Sequence, residues 1–292
     1  MYYVVKIGRK PGIYNTWTEA EKHVIGYSGA KYKSFKTMAE AESWLGADSL
    51  TKSKEKDKNT IPAELNNNQE PENIITELTP SIIHDYRKMN IHAILYAILD
   101  NTAGHQTYHP ESWTEYDGIR YIFTDGSYKK LTNKAGSGIY FGVKYPVSIM
   151  LPDGFTNNQA ELIGILYALN QVMLNIAKND VSNPVVIISD SMYSINSVTK
   201  WMATWAKNNW QKANGEPILN PELIQAIYKL WNQIQQIIKQ KNKQKQQTTG
   251  ATKLKVSFEH QNSHTSAPVN TNTREYMLWR GNHIADRLAV QN

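Results

Sequence analysis

The 292 residues are 40% hydrophobic, with a mean hydropathy of −0.54 and no cysteine. That describes one large or two smaller globular domains and excludes disulfides, thiolate metal sites and cysteine nucleophiles; no unbroken apolar run approaches the roughly 18 residues of a membrane span, so integration into a bilayer is not expected. The net charge of +6 is uneven: residues 1–46 hold 7 basic and 4 acidic side chains (+3), 47–118 hold 6 and 12 (−6), and 119–292 hold 19 and 10 (+9). Two basic blocks flank an acidic tether, which points to a polyanionic partner such as nucleic acid, with solubility alone as the bland alternative.

The N-terminus, MYYVVKIGRK, has neither the apolar core of a secretory signal nor an Arg-rich presequence, so an intracellular protein, cytoplasmic or nuclear, is expected. Residues 1–46 read as a βαβ-like module. Tyr2–Ile7 and Tyr32–Phe35 are strand-like, and Gly8 to Gly12 with Pro11 supplies a turn. Thr16-x-x-Glu19 and Thr37-x-x-Glu40 have capping-box spacing ahead of helices near 17–25 and 38–45. Residues 47–118 read as an acidic linker, charged and Asn-rich to about Asn73. Helical periodicity returns over 74–100, with Ile91, Ile94, Leu95 and Ile98 on one face.

The third block, 119–292, opens strand-rich: YIFTDGSY, AGSGIYFGV and YPVSIML suit an antiparallel meander. Leu162, Ile165, Leu166, Leu169 and Met173 mark an amphipathic helix with Glu161 in its first turn. VVIIS at 185–189 is the apolar run of a strand buried on both faces, ending at Asp190. Helices over about 191–205 and 221–238, a strand Leu254–Phe258 and a last helix from near Asn282 complete an α/β order.

Asp125, Glu161 and Asp190 thus stand in or at the ends of regular elements, with Asp286 on the last helix. A carboxylate set in YIFTDGS or VVIISDS costs desolvation energy unless a cation compensates it. Hard divalent ions, magnesium first and manganese as an alternative, take such oxygen ligands, and a pair of them supports in-line phosphoryl displacement. Taken singly, an Asp at a strand end is as readily a turn former, and a Glu in a helix's first turn a partner of its dipole.

In this order and context, FTDGS (123–127), TNNQAEL (156–162), SDSMYSIN (189–196) and GNHIADRLA (281–289) resemble the four signature segments of the cellular, type 1 ribonucleases H, across essentially all of 119–292. The resemblance implies a ribonuclease-H-like mixed five-stranded sheet flanked by helices. It also implies an endonuclease that hydrolyses the RNA strand of RNA–DNA hybrids, leaving 3′-hydroxyl and 5′-phosphate ends. Asp125, Glu161, Asp190 and Asp286 would then be catalytic and hold two magnesium ions, and His264, in a loop after the last strand, would assist proton transfer and product release. Thr156, Asn157 and Asn158 match polar residues that hold phosphate and sense ribose 2′-hydroxyls. Asn220 matches a phosphate-pocket residue and Trp201 a residue of the DNA-strand channel, whereas Trp205 reads as a core anchor. Gly154 stands where an Arg is frequent, and Lys212 and Ala213 replace hydroxyl residues. The run 239–255, with six lysines and no acid, reads as solvated yet well placed to meet phosphates, and residues 265–280 lengthen the loop after His264.

Tyr3, Trp17, Tyr32 and Lys33 combine aromatics with lysine in the first block, a recipe for stacking beside phosphate contacts. YYVVKIGRKPGIYNTW with KYKSFKTMAEAESWL resembles the hybrid-binding domain of type 1 ribonucleases H, implying that these four residues touch the duplex; Ser34 stands where a second lysine is frequent. The expected partner is an RNA–DNA hybrid duplex, with no membrane and no small-molecule cofactor. A catalytically silent hybrid-binding protein and a DNA-cutting nuclease of the same superfamily are the alternatives.

Overall fold

A computed structural model describes residues 2–7, 9, 12–14, 16–25, 27, 30–37, 40–41, 44, 80–100, 108–178, 180–245, 253–263 and 265–290. The chain divides into two compact units, Met1–Asn67 and Asn68–Asn292.

In the first unit β1 (Tyr2–Ile7), β2 (Gly12–Tyr14) and β3 (Lys31–Phe35) form an antiparallel sheet of order β2-β1-β3, with α1 (Trp17–Val24) packed on it through Ala20 and Val24 against Val5. Thr16 caps α1, its Oγ1 accepting from Glu19 N at 3.4 Å. The second box also forms, with Thr37 N donating to Glu40 Oε2 at 3.2 Å and Glu40 N to Thr37 Oγ1 at 3.3 Å. Sequence reading missed β2, because three residues leaving a Gly-Pro turn are too few to show a period; of the helix expected over 38–45 only residues 40, 41 and 44 are described.

The second unit opens with β4 (Ile82–Asp85), α2 (Ile91–Leu99) and β5 (Thr114–Tyr116). β6 (Ile119–Lys129), β7 (Lys134–Tyr140) and β8 (Pro146–Leu151) follow as the meander, then β9 (Val185–Ser189) and β10 (Val256–His260). The order is β10-β9-β6-β7-β8-β4, with β5 paired to β6; β4, β9 and β10 run parallel to their neighbours. Among the described residues the sheet therefore has seven strands, the expected five plus β4 and β5.

The linker expectation fails for its second half. The stripe Ile91, Ile94, Leu95 and Ile98 belongs to a nine-residue helix capped by Asn90, whose Oδ1 accepts from Ala93 N at 2.9 Å, and Ile94 and Ile98 are buried in the main core with Tyr108 and Trp113. The acidic balance extends through the folded segment as well, so charge alone did not separate it from the tether. Residues 47–73 themselves lie outside the described residues.

One face of the sheet carries α2, α3 (Asn157–Ala177) and α6 (Pro221–Lys245), over Ile122, Ile139, Ile149 and Ile187. A continuous helical stretch, α4 (Met192–Asn196), a π turn (Ser197–Trp201) and α5 (Met202–Lys207), links β9 toward α6. The other face is covered by α7 (Arg274–Ala289), on Phe123, Tyr140 and Ile188. α3 is long and apolar enough to cross a bilayer, but most of it is buried inside the protein. α6 runs on to Lys245 rather than ending near 238, because Gln and Lys sustain a helix without an apolar stripe. α7 starts at Arg274 rather than near 282, where Thr273 caps it by accepting from Tyr276 N at 3.2 Å.

Candidate active site

β6 and β9 lie parallel with Thr124 opposite Ser189, so Asp125 and Asp190, each one residue further, sit side by side at the same end of the sheet. Glu161 comes from above. Thr156 and Gln159 form a reciprocal capping box that fixes the start of α3, and Ser137 Oγ on β7 donates to Ala160 O at 2.6 Å. The helix presses on β6 at Gly126, where a Cβ would overlap the Glu161 backbone nitrogen. Asp286 arrives from below on α7. A Cβ on Gly138 would overlap Ala285 O, one on Gly281 would overlap the Phe123 ring, and Ser148 Oγ donates to Leu288 O at 2.8 Å.

Carboxylate oxygens of Asp125, Glu161 and Asp190 lie within 4.8 Å of one another. Asp286 lines the same pocket, about 360 Å³, with Gly126, Ser127, Tyr128, Asn157 and Ser191. Asp125 is 5% exposed and Glu161 2%. Burial first, then the facing charges of Glu161, Asp190 and Asp286, push the Asp125 carboxyl far above the usual range; burial and then Asp190 raise Glu161 as well. Glu161 Oε2 is buried without a hydrogen-bond partner, and no Lys or Arg forms an ion pair with any of the four acids among the described residues. A set of hard oxygen donors that lacks compensating charge fits a hard divalent cation. His260, which sequence reading passed over, holds the floor of the site: its Nε2 lies 3.0 Å from Asp190 O.

The substrate residues expected from sequence divide. Asn157 lines the pocket, with Asn158 half-buried beside it and Thr156 exposed but engaged as the helix cap. Trp201 ends the π turn, whose inserted residue rotates the rest of the helix; the ring is 38% exposed, 6.3 Å from the Tyr193 ring and 5.5 Å from Trp205. Asn220, at φ +56°, donates from Nδ2 to Tyr193 Oη at 3.3 Å, so Tyr193, unremarked in the sequence, joins Trp201 to Asn220. Trp205 and Trp210 pack against the core. Gly154 has φ +84°, a backbone state that accounts for glycine there. His264 lies outside the described residues. In the first unit Trp17 stands 5.7 Å from Tyr3 and 5.4 Å from Tyr32, a three-ring ladder whose Tyr32 is 51% exposed. Lys33 does not join it: the next residue along β3 faces the other way, its Nζ 5.4 Å from the Phe35 ring.

Acids delivered in this manner by parallel strands and two flanking helices define the ribonuclease-H-like class of nucleases. Comparison with known proteins narrows the class. The family described as "Ribonuclease H1 N-terminal domain" matches residues 1–45 and "RNase H" matches 118–242. Ribonuclease H of Schizosaccharomyces pombe is 30% identical over 229 residues, covering 76% of this chain and 83% of its own. Ribonuclease H1 of Homo sapiens is 26% identical over 257 residues, covering 79% and 78%. The solution structure of the PFV RNase H domain aligns with a TM-score of 0.42 at 20% identity, over 61% of this chain and 94% of that one. The chain belongs to the ribonuclease H family, whose members are metal-dependent, and it is an endonuclease of RNA–DNA hybrids with an N-terminal hybrid-binding domain.

Proposed function

We propose that the chain hydrolyses the RNA strand with two divalent cations, magnesium or alternatively manganese, held by Asp125, Glu161, Asp190 and Asp286. The observation that carries this reading is the buried, uncompensated acid cluster with its orphaned Glu161 Oε2. Asp125, faced by all three other acids, would be held in common by the two ions. When bound, the cations neutralise the scissile phosphate and make water nucleophilic at neutral pH. The water oxygen forms a bond to phosphorus as the P–O3′ bond breaks in line; water gives up a proton, and the departing 3′ oxygen gains one with help from His264. The products are a 5′-phosphate and a 3′-hydroxyl.

Asn157 and Asn158 supply amides that both donate and accept, the requirement for sensing a 2′-hydroxyl that DNA lacks. Trp201 and Asn220, joined through Tyr193, hold the DNA strand, and the Tyr3–Trp17–Tyr32 ladder engages the hybrid. Removal of R-loops and of RNA primers are the cellular tasks such an activity fits. The test is a labelled hybrid with magnesium beside duplex DNA and duplex RNA. Cleavage confined to the RNA strand of the hybrid, and stopped by chelator, is expected; cutting of DNA would favour the DNA-nuclease reading, and binding without cleavage the silent one.

A further inference from the structure

Lys239, Lys243, Lys253 and Lys255 lie at the end of the sheet away from the carboxylates. β10 finishes at His260, against Asp190 O; it begins just after Lys255, whose carbonyl accepts from Val185 N at 2.8 Å. At about 3.3 Å per residue, Lys255 is roughly 16 Å from the carboxylate end. Two segments are clamped together there. Asn242, in the last turns of α6, bonds both backbone groups of Leu254: Nδ2 donates to Leu254 O at 2.8 Å and Oδ1 accepts from Leu254 N at 2.9 Å. The clamp sets Lys239 and Lys243, which flank Asn242 on the helix, beside Lys253 and Lys255, which flank Leu254.

All four side chains are exposed and none has an acidic partner among the described residues. The sequence holds seven lysines and no acid from 223 to 258. A helix C-terminus favours a cation or two in its last turn, which falls short of explaining that number. Tyr228, Trp231 and Phe258, the aromatics of this stretch, pack against the core. The surface thus offers charge without stacking platforms or apolar anchors, which suits a phosphate backbone better than bases or a lipid interior.

We infer that this clamped lysine surface is a second nucleic-acid site, taking the phosphates of a single-stranded continuation of the substrate. The inference rests on the hybrid occupying the carboxylate pocket. A duplex is stiff over about 150 base pairs and does not fold back from that end of the sheet to the other, whereas a single strand does. Contact is sequence-independent and adds to the affinity of tailed substrates through local concentration.

The test compares the full chain with K239Q/K243Q/K253Q/K255Q in calcium. Anisotropy is read on a blunt hybrid of about 12 base pairs and on the same hybrid with a single-stranded DNA tail of about 20 nucleotides, from roughly 50 to 300 mM salt. The native chain binds the tailed hybrid about tenfold tighter than the blunt one at low salt; the variant loses that gain, and its log–log salt slope on the tailed hybrid falls by about 3, at about 0.7 per single-strand phosphate. Blunt-hybrid affinity, circular dichroism and cleavage of the blunt hybrid in magnesium stay unchanged, and the four-Arg counterpart keeps the gain. Cleavage of the blunt hybrid reports the catalytic reading separately. A native chain that binds tailed and blunt hybrids equally, or a variant that keeps the gain, overturns the inference. So does a variant that loses blunt-hybrid affinity equally. Binding to phosphatidylserine vesicles that the variant abolishes while the tail gain persists assigns the surface to membranes instead, and likewise overturns it.

Discussion

A Cβ on Gly126 would overlap the backbone nitrogen of Glu161 and stand 2.8 Å from its Cγ, so the strand bearing Asp125 meets the helix bearing Glu161 at a residue without a side chain. Carboxylate spacing therefore depends on one missing methyl group. Gly126→Ala should move α3 outward at a cost of about 1–3 kcal/mol in stability, because the obstacle is backbone and does not yield as a side-chain tip would. Cleavage should fall roughly a hundredfold, the scale of a 1 Å misplacement. Thermal melting and single-turnover cleavage check both; full turnover in the variant would show that this contact does not set the spacing.

Burial, and after it the facing charges of Glu161, Asp190 and Asp286, raises the pKa of Asp125, so its ionised form is costly without a compensating cation. Asp125→Asn should abolish cleavage yet raise the melting temperature in chelator. Magnesium should raise that of the native chain, by the equivalent of about 2.7 kcal/mol at a hundredfold excess over its dissociation constant, and barely affect the variant. Differential scanning calorimetry with and without magnesium reads this directly. A native melting point indifferent to magnesium would count against the cluster as a cation site.

Asp190 lies at the surface side of the cluster, on a turn held by His260. Asp190→Asn should leave that backbone intact while removing a charge that the cations require, so cleavage should drop below about a tenth of native with hybrid affinity retained. Calcium, larger and looser in coordination, should bind without supporting turnover.

His84 Nε2 on β4 lies 2.8 Å from Tyr167 Oη on α3, and the same phenol meets Tyr108 Oη. This chain ties the segment before residue 119 into the catalytic unit. Tyr167→Phe should remove both contacts, leave the buried Tyr108 hydroxyl without this partner, and cost about 1–3 kcal/mol. Chemical denaturation should show the loss while cleavage at room temperature persists. An unchanged midpoint would mean that β4 and α2 are held by apolar packing alone.

β9 and α3 were legible because each carries its own period: VVIIS before Asp190 and the Leu162–Met173 stripe. β4 was not, since four residues beside a helix stripe show no separate alternation. Tyr193, His260 and Gly138 act through partners distant in sequence, which residue type alone does not reveal. Gly281 was visible only as part of a motif, and its reason, the Phe123 ring beneath it, belongs to the packed structure. Lys33 was grouped with Tyr32 by adjacency, although neighbours on a strand face opposite ways.

Trp17 sits between Tyr3 and Tyr32, half-buried on the small core of Val5, Ala20 and Val24, with the outer ring of the ladder open to solvent. A ring platform of this kind stacks on sugars or bases and raises the local concentration of hybrid for the catalytic unit without touching its chemistry. Trp17→Ala should weaken hybrid affinity by about 1–3 kcal/mol and raise KM on long hybrids, with saturating turnover little changed. Tyr32→Ala should act in the same direction with less structural cost, being the more exposed ring. Deleting residues 1–46 should go further and also flatten the salt dependence of binding, since the basic side chains of this unit no longer displace counterions. If Trp17 only fills the core, Trp17→Ala should unfold the module, visible in the NMR spectrum of the full chain, while Tyr32→Ala leaves affinity intact. A folded Trp17→Ala protein with native affinity would remove the ladder from substrate recognition altogether.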